Sequence, residues 1–243
     1  MTIPSYQDML DAGVHLGHLR KKWNPRMAPY IFMEKKGIHI IDLNRTSDCL
    51  AQAADAARQI AKSGRKIMFV ATKKQAREIV AKAATSVGMP FVTERWLGGM
   101  MTNFATIRKS VKKMQNIERM LTDVNATALT KKEKLTLSRE RDKMAKVLGG
   151  VAHLNRLPAA VFIVDIMHEE IALTEAKRLG FRTFGIVDTN SDPNKVDFPI
   201  PGNDDASKSI NLITSVIAAA IQEGLDERKA DKGEVKDSEE TEA

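Results

Sequence analysis

The chain has 243 residues, 38 basic and 31 acidic side chains, a formal charge of +7 and one cysteine, Cys49. A disulfide scaffold and a thiolate zinc site are excluded, because each needs several cysteines or cysteine with histidine. No apolar run approaches the ~18 residues of a membrane span, and the start lacks the basic and apolar parts of a secretory signal, so a cytosolic protein is expected.

The charge is unevenly placed. Residues 226–243 hold eight acids against four bases, which leaves a net +11 in residues 1–225. The end segment is polar and has no aromatic residue, so it is expected to be a disordered acidic tail. A basic body suggests a polyanion partner, with a merely solvated surface as the plain alternative.

In chain order, residues 6–12 read as a short helix stopped by Gly13. Residues 25–43 read as a hairpin, with the apolar stretches 30–32 and 38–41 flanking a turn that ends in Gly37. Residues 44–63 form a helix that Thr46 or Ser47 caps, with Leu50, Ala53, Ala57 and Ile60 on one face. Residues 66–71 are a continuous apolar run, as in a strand buried on both faces. A helix over 74–87, a short strand at 90–92, a strand over 160–165, a helix over 169–179 and strands at 183–188 and 198–200 follow. The last helix covers 207–223. Five strands alternating with helices predict a flavodoxin-like, doubly wound, mostly parallel α/β sheet.

The segment 102–150 breaks that alternation. Phe104, Ile107, Val111, Met114, Ile117 and Leu121 make an apolar seam at helical spacing. A polar stretch around Asn125 reads as a turn, and residues 131–148 as a second helix that Gly149-Gly150 stops. The pattern predicts an antiparallel coiled-coil hairpin inserted in the α/β domain. Twelve bases against five acids lie between 105 and 148, so the arm carries +7. The organisation is then 1–101 and 151–225 for the α/β domain, 102–150 for the arm and 226–243 for the tail.

Several clusters carry candidate chemistry. Arg20-Lys21-Lys22-Trp23-Asn24-Pro25-Arg26, followed by Lys35-Lys36 on the hairpin turn, interleaves cations with an indole. That suits phosphate contact plus stacking, with Trp23, Tyr30 and Phe32 expected inward and the cations outward. Arg108, Lys109, Lys112 and Lys113 place four cations on the first arm helix, with Arg95 and Asn103 at its root. Trp96, beside the Gly98-Gly99 pair, reads as a core anchor or a stacking platform. Thr72-Lys73 before a helix is a candidate single-phosphate site, unless Thr72 is only a cap. His18, Asp188 and Asp205 form a candidate zinc or other divalent-ion set, although acidic loops also simply cap and turn chains. His15-Leu16-Gly17-His18 has the letters of a nucleotidyl-transfer signature, but no apolar strand is read before it.

Longer runs are more specific. Residues 9–18, Trp23-Asn24-Pro25, Ile38-His39-Ile40-Ile41, Arg95-Trp96-Leu97-Gly98-Gly99-Met100-Met101-Thr102-Asn103, 129–133, 148–150, 186–193 and 200–206 resemble the family of the second protein of the bacterial small ribosomal subunit. The resemblance covers residues 9–206. It implies a flavodoxin-like core with an inserted coiled-coil arm, and a non-enzymatic, cytoplasmic, ribosome-bound protein. It implies a seat on ribosomal RNA between head and body of the small subunit, beside other ribosomal proteins. It also implies a part in docking ribosomal protein one, which recruits messenger RNA. No cofactor, membrane or small-molecule substrate is expected. The rival classes are an enzyme with phosphate at Thr72-Lys73 or metal at Asp188, and a free coiled-coil scaffold.

Overall fold

The computed structural model describes residues 3–122 and 130–241, with the backbone alone for 232–241. Five strands form a parallel sheet: β4 (Ile67–Val70), β5 (Phe91–Val92), β6 (Ala160–Val164), β7 (Arg182–Val187) and β8 (Phe198–Pro201). Their order is β5-β4-β6-β7-β8, every neighbouring pair being parallel. Renumbered from β4, this is the 2-1-3-4-5 order of flavodoxin-like folds, and the expected fold class holds.

The strands are buried on both faces, which is why they read as unbroken apolar runs. Ile67, Phe69, Phe162 and Phe184 face one layer, made of α2 (Leu43–Lys62), α3 (Arg77–Ser86) and α7 (Ser207–Thr241). Met68, Val70, Val161 and Ile163 face the other, which holds α6 (Glu170–Arg178), Met27, Trp96 and the roots of α4 (Phe104–Thr122) and α5 (Lys131–Leu148). Phe69, Phe162 and Phe184 are fully buried, and each contributes about 2–3 kcal/mol relative to exposure.

The N-terminal region is larger than a hairpin. After α1 (Tyr6–Asp11), β1 (Leu16–Leu19) pairs with β3 (Ile38–Ile41), which also pairs with β2 (Ile31–Lys35). Both pairings are antiparallel. The strand β1 was not legible because its four residues include Gly17 and His18 and alternate poorly. The turn between β2 and β3 is two residues, Lys36 and Gly37, at φ of +54° and +77°. Two positive φ values are what a tight type I′ hairpin demands.

Some local expectations are corrected. Helix α2 is capped by Asp42, whose side chain accepts from the Asn44 amide. Thr46 is buried instead and donates to the Pro201 carbonyl at 2.8 Å. Trp23 and Phe32 are not turned inward: Phe32 is 70% exposed, and Trp23 lies against His39 at 5.1 Å between ring centroids. Helix α7 does not stop near Glu223. It runs on against α2, where Arg58 pairs with Glu227 at 2.7 Å, and Lys62 with Glu227 and Asp231 at 3.2 and 3.4 Å. Those ion pairs hold residues that composition alone assigns to a free tail.

Helices α4 and α5 pack side by side. Ile107 and Val111 share a buried cluster with Leu148, while farther out Lys113 meets Glu140 at 2.6 Å. Thr130 and Glu133 form a capping box at the start of α5. The expected turn at 122–130 falls mostly outside the described residues.

One side chain fixes the root of these helices. Glu175 of α6 is buried, and its carboxylate accepts from Trp96 Nε1 (3.1 Å), the amides of Gly99 (2.7 Å), Met101 (3.0 Å) and Thr102 (3.1 Å), and the Thr102 hydroxyl (3.1 Å). Burial pushes the Glu175 carboxyl up, but these donors outweigh it and hold it below the ordinary value. Trp96 is thus the core anchor. Glu175→Ala strands buried donors at Trp96 and Met101, and should cost about 2–4 kcal/mol in urea unfolding. A loss below about 0.5 kcal/mol would contradict this role.

Candidate functional site

Four aspartates, Asp165, Asp188, Asp204 and Asp205, gather at the carboxyl edge of the parallel sheet, beside the switch point between β4 and β6, where open α/β sheets form their crevice. Lys73, just after β4, points its ammonium at Asp165 (3.1 Å), Asp204 (2.8 Å) and Asp205 (2.6 Å). Asp165 ends β6 at φ +62°, a strained conformation for a non-glycine residue. Its other oxygen accepts the Met167 and His168 amides at 3.1 and 2.9 Å.

His18 of β1 closes the cluster. Its Nδ1 lies 2.9 Å from Asp188 and its Nε2 3.4 Å from Asp205. The Asp188 hydrogen bond raises the His18 pKa, against the effect of burial. The Lys73 pKa is lowered by burial but raised further by Asp204 and Asp205, so the amine stays charged. Burial, then the charges of Asp165 and Asp188, push the Asp204 carboxyl up to about 7.

This arrangement corrects two sequence readings. The Thr72-Lys73 phosphate site is already filled by protein groups: the Thr72 amide and hydroxyl both donate to Glu169 at 2.7 and 2.5 Å, and Lys73 faces carboxylates. Nor does Thr72 cap α3, which starts at Arg77 without a side-chain cap. The metal triad also changes. His18, Asp188 and Asp204 converge within 4.8 Å, while the exposed Asp205 is shared between Lys73 and His18 Nε2. Asp204 Oδ2 is buried and has no hydrogen-bond partner among the described residues, so the donor set fits a cation, with Lys73 as its competitor.

The same acidic loops seat the N-terminal segment. The His18 amide donates to Thr189 Oγ1 at 2.9 Å and the Asn24 amide to the Thr189 carbonyl at 2.8 Å. Arg26 pairs with Asp192. Asn203 bridges to Val14 and Gly13 at 3.1 and 3.2 Å. A Cβ on Gly17 would meet Thr189 at 2.6 Å, so glycine is needed for this approach.

The basic candidates separate into tied and free groups. Arg20 pairs with Glu34 at 3.3 Å, Arg26 with Asp192, and Lys113 with Glu140. Arg108 turns inward, donating to the Leu154 carbonyl at 2.7 Å and to Asn155 at 2.9 Å. Asn103 accepts from Thr106 at 2.8 Å at the start of α4. Lys21, Lys35, Lys36, Arg95, Lys109 and Lys112 are exposed, and no carboxylate among the described residues pairs with them; Lys22 is exposed too, but its charge acts on Asp205. Sequence reasoning missed Glu175, because a lone Glu in a helix carries no pattern, and it singled out Lys73 for a phosphate where the structure gives it carboxylates.

Comparison with known proteins finds relatives along most of the chain. A family model described as ribosomal protein S2 matches residues 9–224. A protein of Cytophaga hutchinsonii named small ribosomal subunit protein uS2 is 60% identical over 238 residues, covering 98% of this chain and 94% of its own. A protein of that name from Bacteroides thetaiotaomicron is 57% identical over 232 residues, covering 96% and 84%. Another, from Porphyromonas gingivalis, is 57% identical over 228 residues, covering 94% and 81%.

The acidic edge makes stability fall with rising pH. A folded pKa above the unfolded one means full stability below about pH 4 for Asp204, lost as pH climbs toward its folded value near 7. His18, also raised, stabilises below its unfolded value and loses that effect as pH rises through its folded one. Asp204→Asn should therefore flatten the decline in melting temperature between pH 5 and pH 8, and gain on the order of 1–3 kcal/mol at the upper end. Parallel pH profiles for the two proteins would refute it.

Proposed function

The chain belongs to the ribosomal protein S2 family, and from that premise we propose that it binds small-subunit ribosomal RNA as a structural element of the subunit. Members of this family are components of the small ribosomal subunit in translation, not enzymes, and are cytoplasmic and ribosome-bound. Among the described residues no helix is long and apolar enough to cross a membrane.

The observation that carries the RNA reading is the set of free cations. Lys21, Lys35 and Lys36 stand at the turns and end of the N-terminal sheet, and Lys109 and Lys112 on α4, exposed and without carboxylate partners among the described residues, with Lys22, near Asp205, beside them. Each phosphate neutralised by such a cation releases counterions, which drives association. Unpaired lysines do this better than Arg20, Arg26, Arg108 or Lys113, which would first break an existing contact. The α4–α5 pair acts as a coiled-coil arm that carries its free face to RNA. The seat is between the head and body of the subunit, set by RNA shape more than by base identity.

The N-terminal sheet has a second surface of a different kind. Tyr6, Leu16, Phe32 and Met33 are exposed around a shallow apolar cleft. Exposed apolar groups of this sort fit a protein partner better than phosphates. They support a role in docking ribosomal protein one, the messenger-recruiting protein of the subunit. A second reading of the acidic edge is a divalent ion such as zinc at His18, Asp188 and Asp204, favoured by the unpartnered Asp204 oxygen. Zinc retained in equilibrium dialysis by the wild type but not by Asp204→Asn supports it, and equal retention counts against it.

Co-sedimentation with small subunits tests both surfaces. Lys109→Glu with Lys112→Glu should weaken assembly at moderate salt and lower the salt slope of RNA binding by roughly two. Phe32→Glu should leave RNA binding intact and reduce the ribosomal protein one recovered with the subunit. Wild-type sedimentation of the lysine variant would sink the arm-binding reading, and undiminished recovery of protein one the docking reading.

A further inference from the structure

The opposite edge of the sheet carries a cleft that none of the RNA contacts proposed above uses. It has a volume of about 850 Å³ and opens where the chain enters three strands: Arg65-Lys66 before β4, Met89-Pro90 before β5, and 153–157 before β6. Its floor is apolar, made by buried Met89 and Pro90 and by half-buried Phe91, with the exposed Leu157 on one wall. Its rim is basic, with Arg65, Lys66, His153 and Arg156 all exposed, and no carboxylate lines it.

The rim cations differ in availability. Lys66 is engaged, donating to the Gly88 carbonyl at 2.8 Å. Arg65 and Arg156 have no carboxylate partner among the described residues. The loop that bears Arg156 is fixed from behind, because Arg108 of α4 holds the Leu154 carbonyl and the Asn155 side chain. The cleft is therefore formed before any ligand arrives, which lowers the ordering cost of binding.

We propose that this cleft takes an unstacked nucleotide of single-stranded RNA, with its phosphate on Arg65 and Arg156 and its base on the Phe91–Leu157 wall. The inference rests on the RNA reading above and deepens it by adding a contact to a base. Three features choose this occupant. A planar guanidinium matches phosphate oxygens two at a time. Splayed bases of unpaired RNA are held on apolar and aromatic side chains. The volume is that of a pocket for a compact ligand, not a flat protein interface. An acidic peptide would satisfy the two arginines but would leave the apolar floor without a matching group.

The test uses the full chain and purified small-subunit ribosomal RNA. The double variant Arg65→Ala, Arg156→Ala removes two exposed side chains, so its melting temperature should match the wild type. The slope of log affinity against log salt should fall by roughly two. A photo-crosslinking residue placed at Leu157 should label one short, unpaired stretch of the RNA. An unchanged slope with scattered RNA crosslinks would overturn the proposal, as would crosslinks from bound subunits that run only to protein. In both cases the RNA reading survives, because the wild type still binds and the Lys109 and Lys112 variant still weakens it. Failure of the wild type to bind the RNA at all would overturn both.

Discussion

Three carboxylates converge on one ammonium at the carboxyl edge of the sheet, and much of the molecule is arranged around that point. Lys73 leaves β4 and meets Asp165 from the end of β6 and Asp204 and Asp205 from the loop after β8. The parallel sheet puts these loops on one edge, since every strand runs the same way. Four aspartates with a single lysine would repel one another, and the burial of Asp204 sharpens that cost. His18 and Arg26 of the N-terminal segment supply the remaining positive charge, at Asp188 and Asp192. The acidic edge thus works as a dock for the small antiparallel sheet. The crevice that holds a ligand in many folds of this order is here occupied largely by the protein itself.

A second carboxylate organises the other flank. Glu175 gathers the amides of the diglycine segment and the Trp96 indole, and so sets where α4 begins. Arg108 then ties α4 to the loop before β6, and Gly150 sits where a Cβ would meet the Phe91 carbonyl. Among the described residues six acids, Asp165, Glu169, Glu175, Asp188, Asp192 and Asp204, are buried against amides, hydroxyls and cations. The unpaired bases are left on the surface of the N-terminal sheet and the two long helices. A formal +7 understates that surface, because these six carboxylates lie inside.

The sheet was legible because burial on both faces forces continuous apolar runs such as 67–70 and 160–164. The seam of α4 was legible because 3.6-residue periodicity survives in a helix packed on one side. The strand β1 was not, since a four-residue edge strand with glycine and histidine has no alternation to read. The cap of α2 was missed because Asp42 lies two residues before the apparent start at 44, while Thr46 serves a distant carbonyl. The site was half legible. Clusters of lysine announce exposed cations, but whether Arg26 or Lys113 is already paired depends on residues 166 and 27 positions away. Asp204, rather than Asp205, turns inward because the Asn203 side chain caps the Asp205 and Ala206 amides and fixes the loop. Family blocks carried the function across that gap, because they encode the whole set of distant contacts at once.

The central claim is that unpaired surface cations hold the protein on ribosomal RNA. The most direct measurement is the affinity of the wild-type chain for purified small-subunit ribosomal RNA across about 50 to 200 mM salt. The account predicts a linear fall of log affinity with log salt, steep enough for roughly four or more phosphate contacts. Binding that is flat across that range would contradict it.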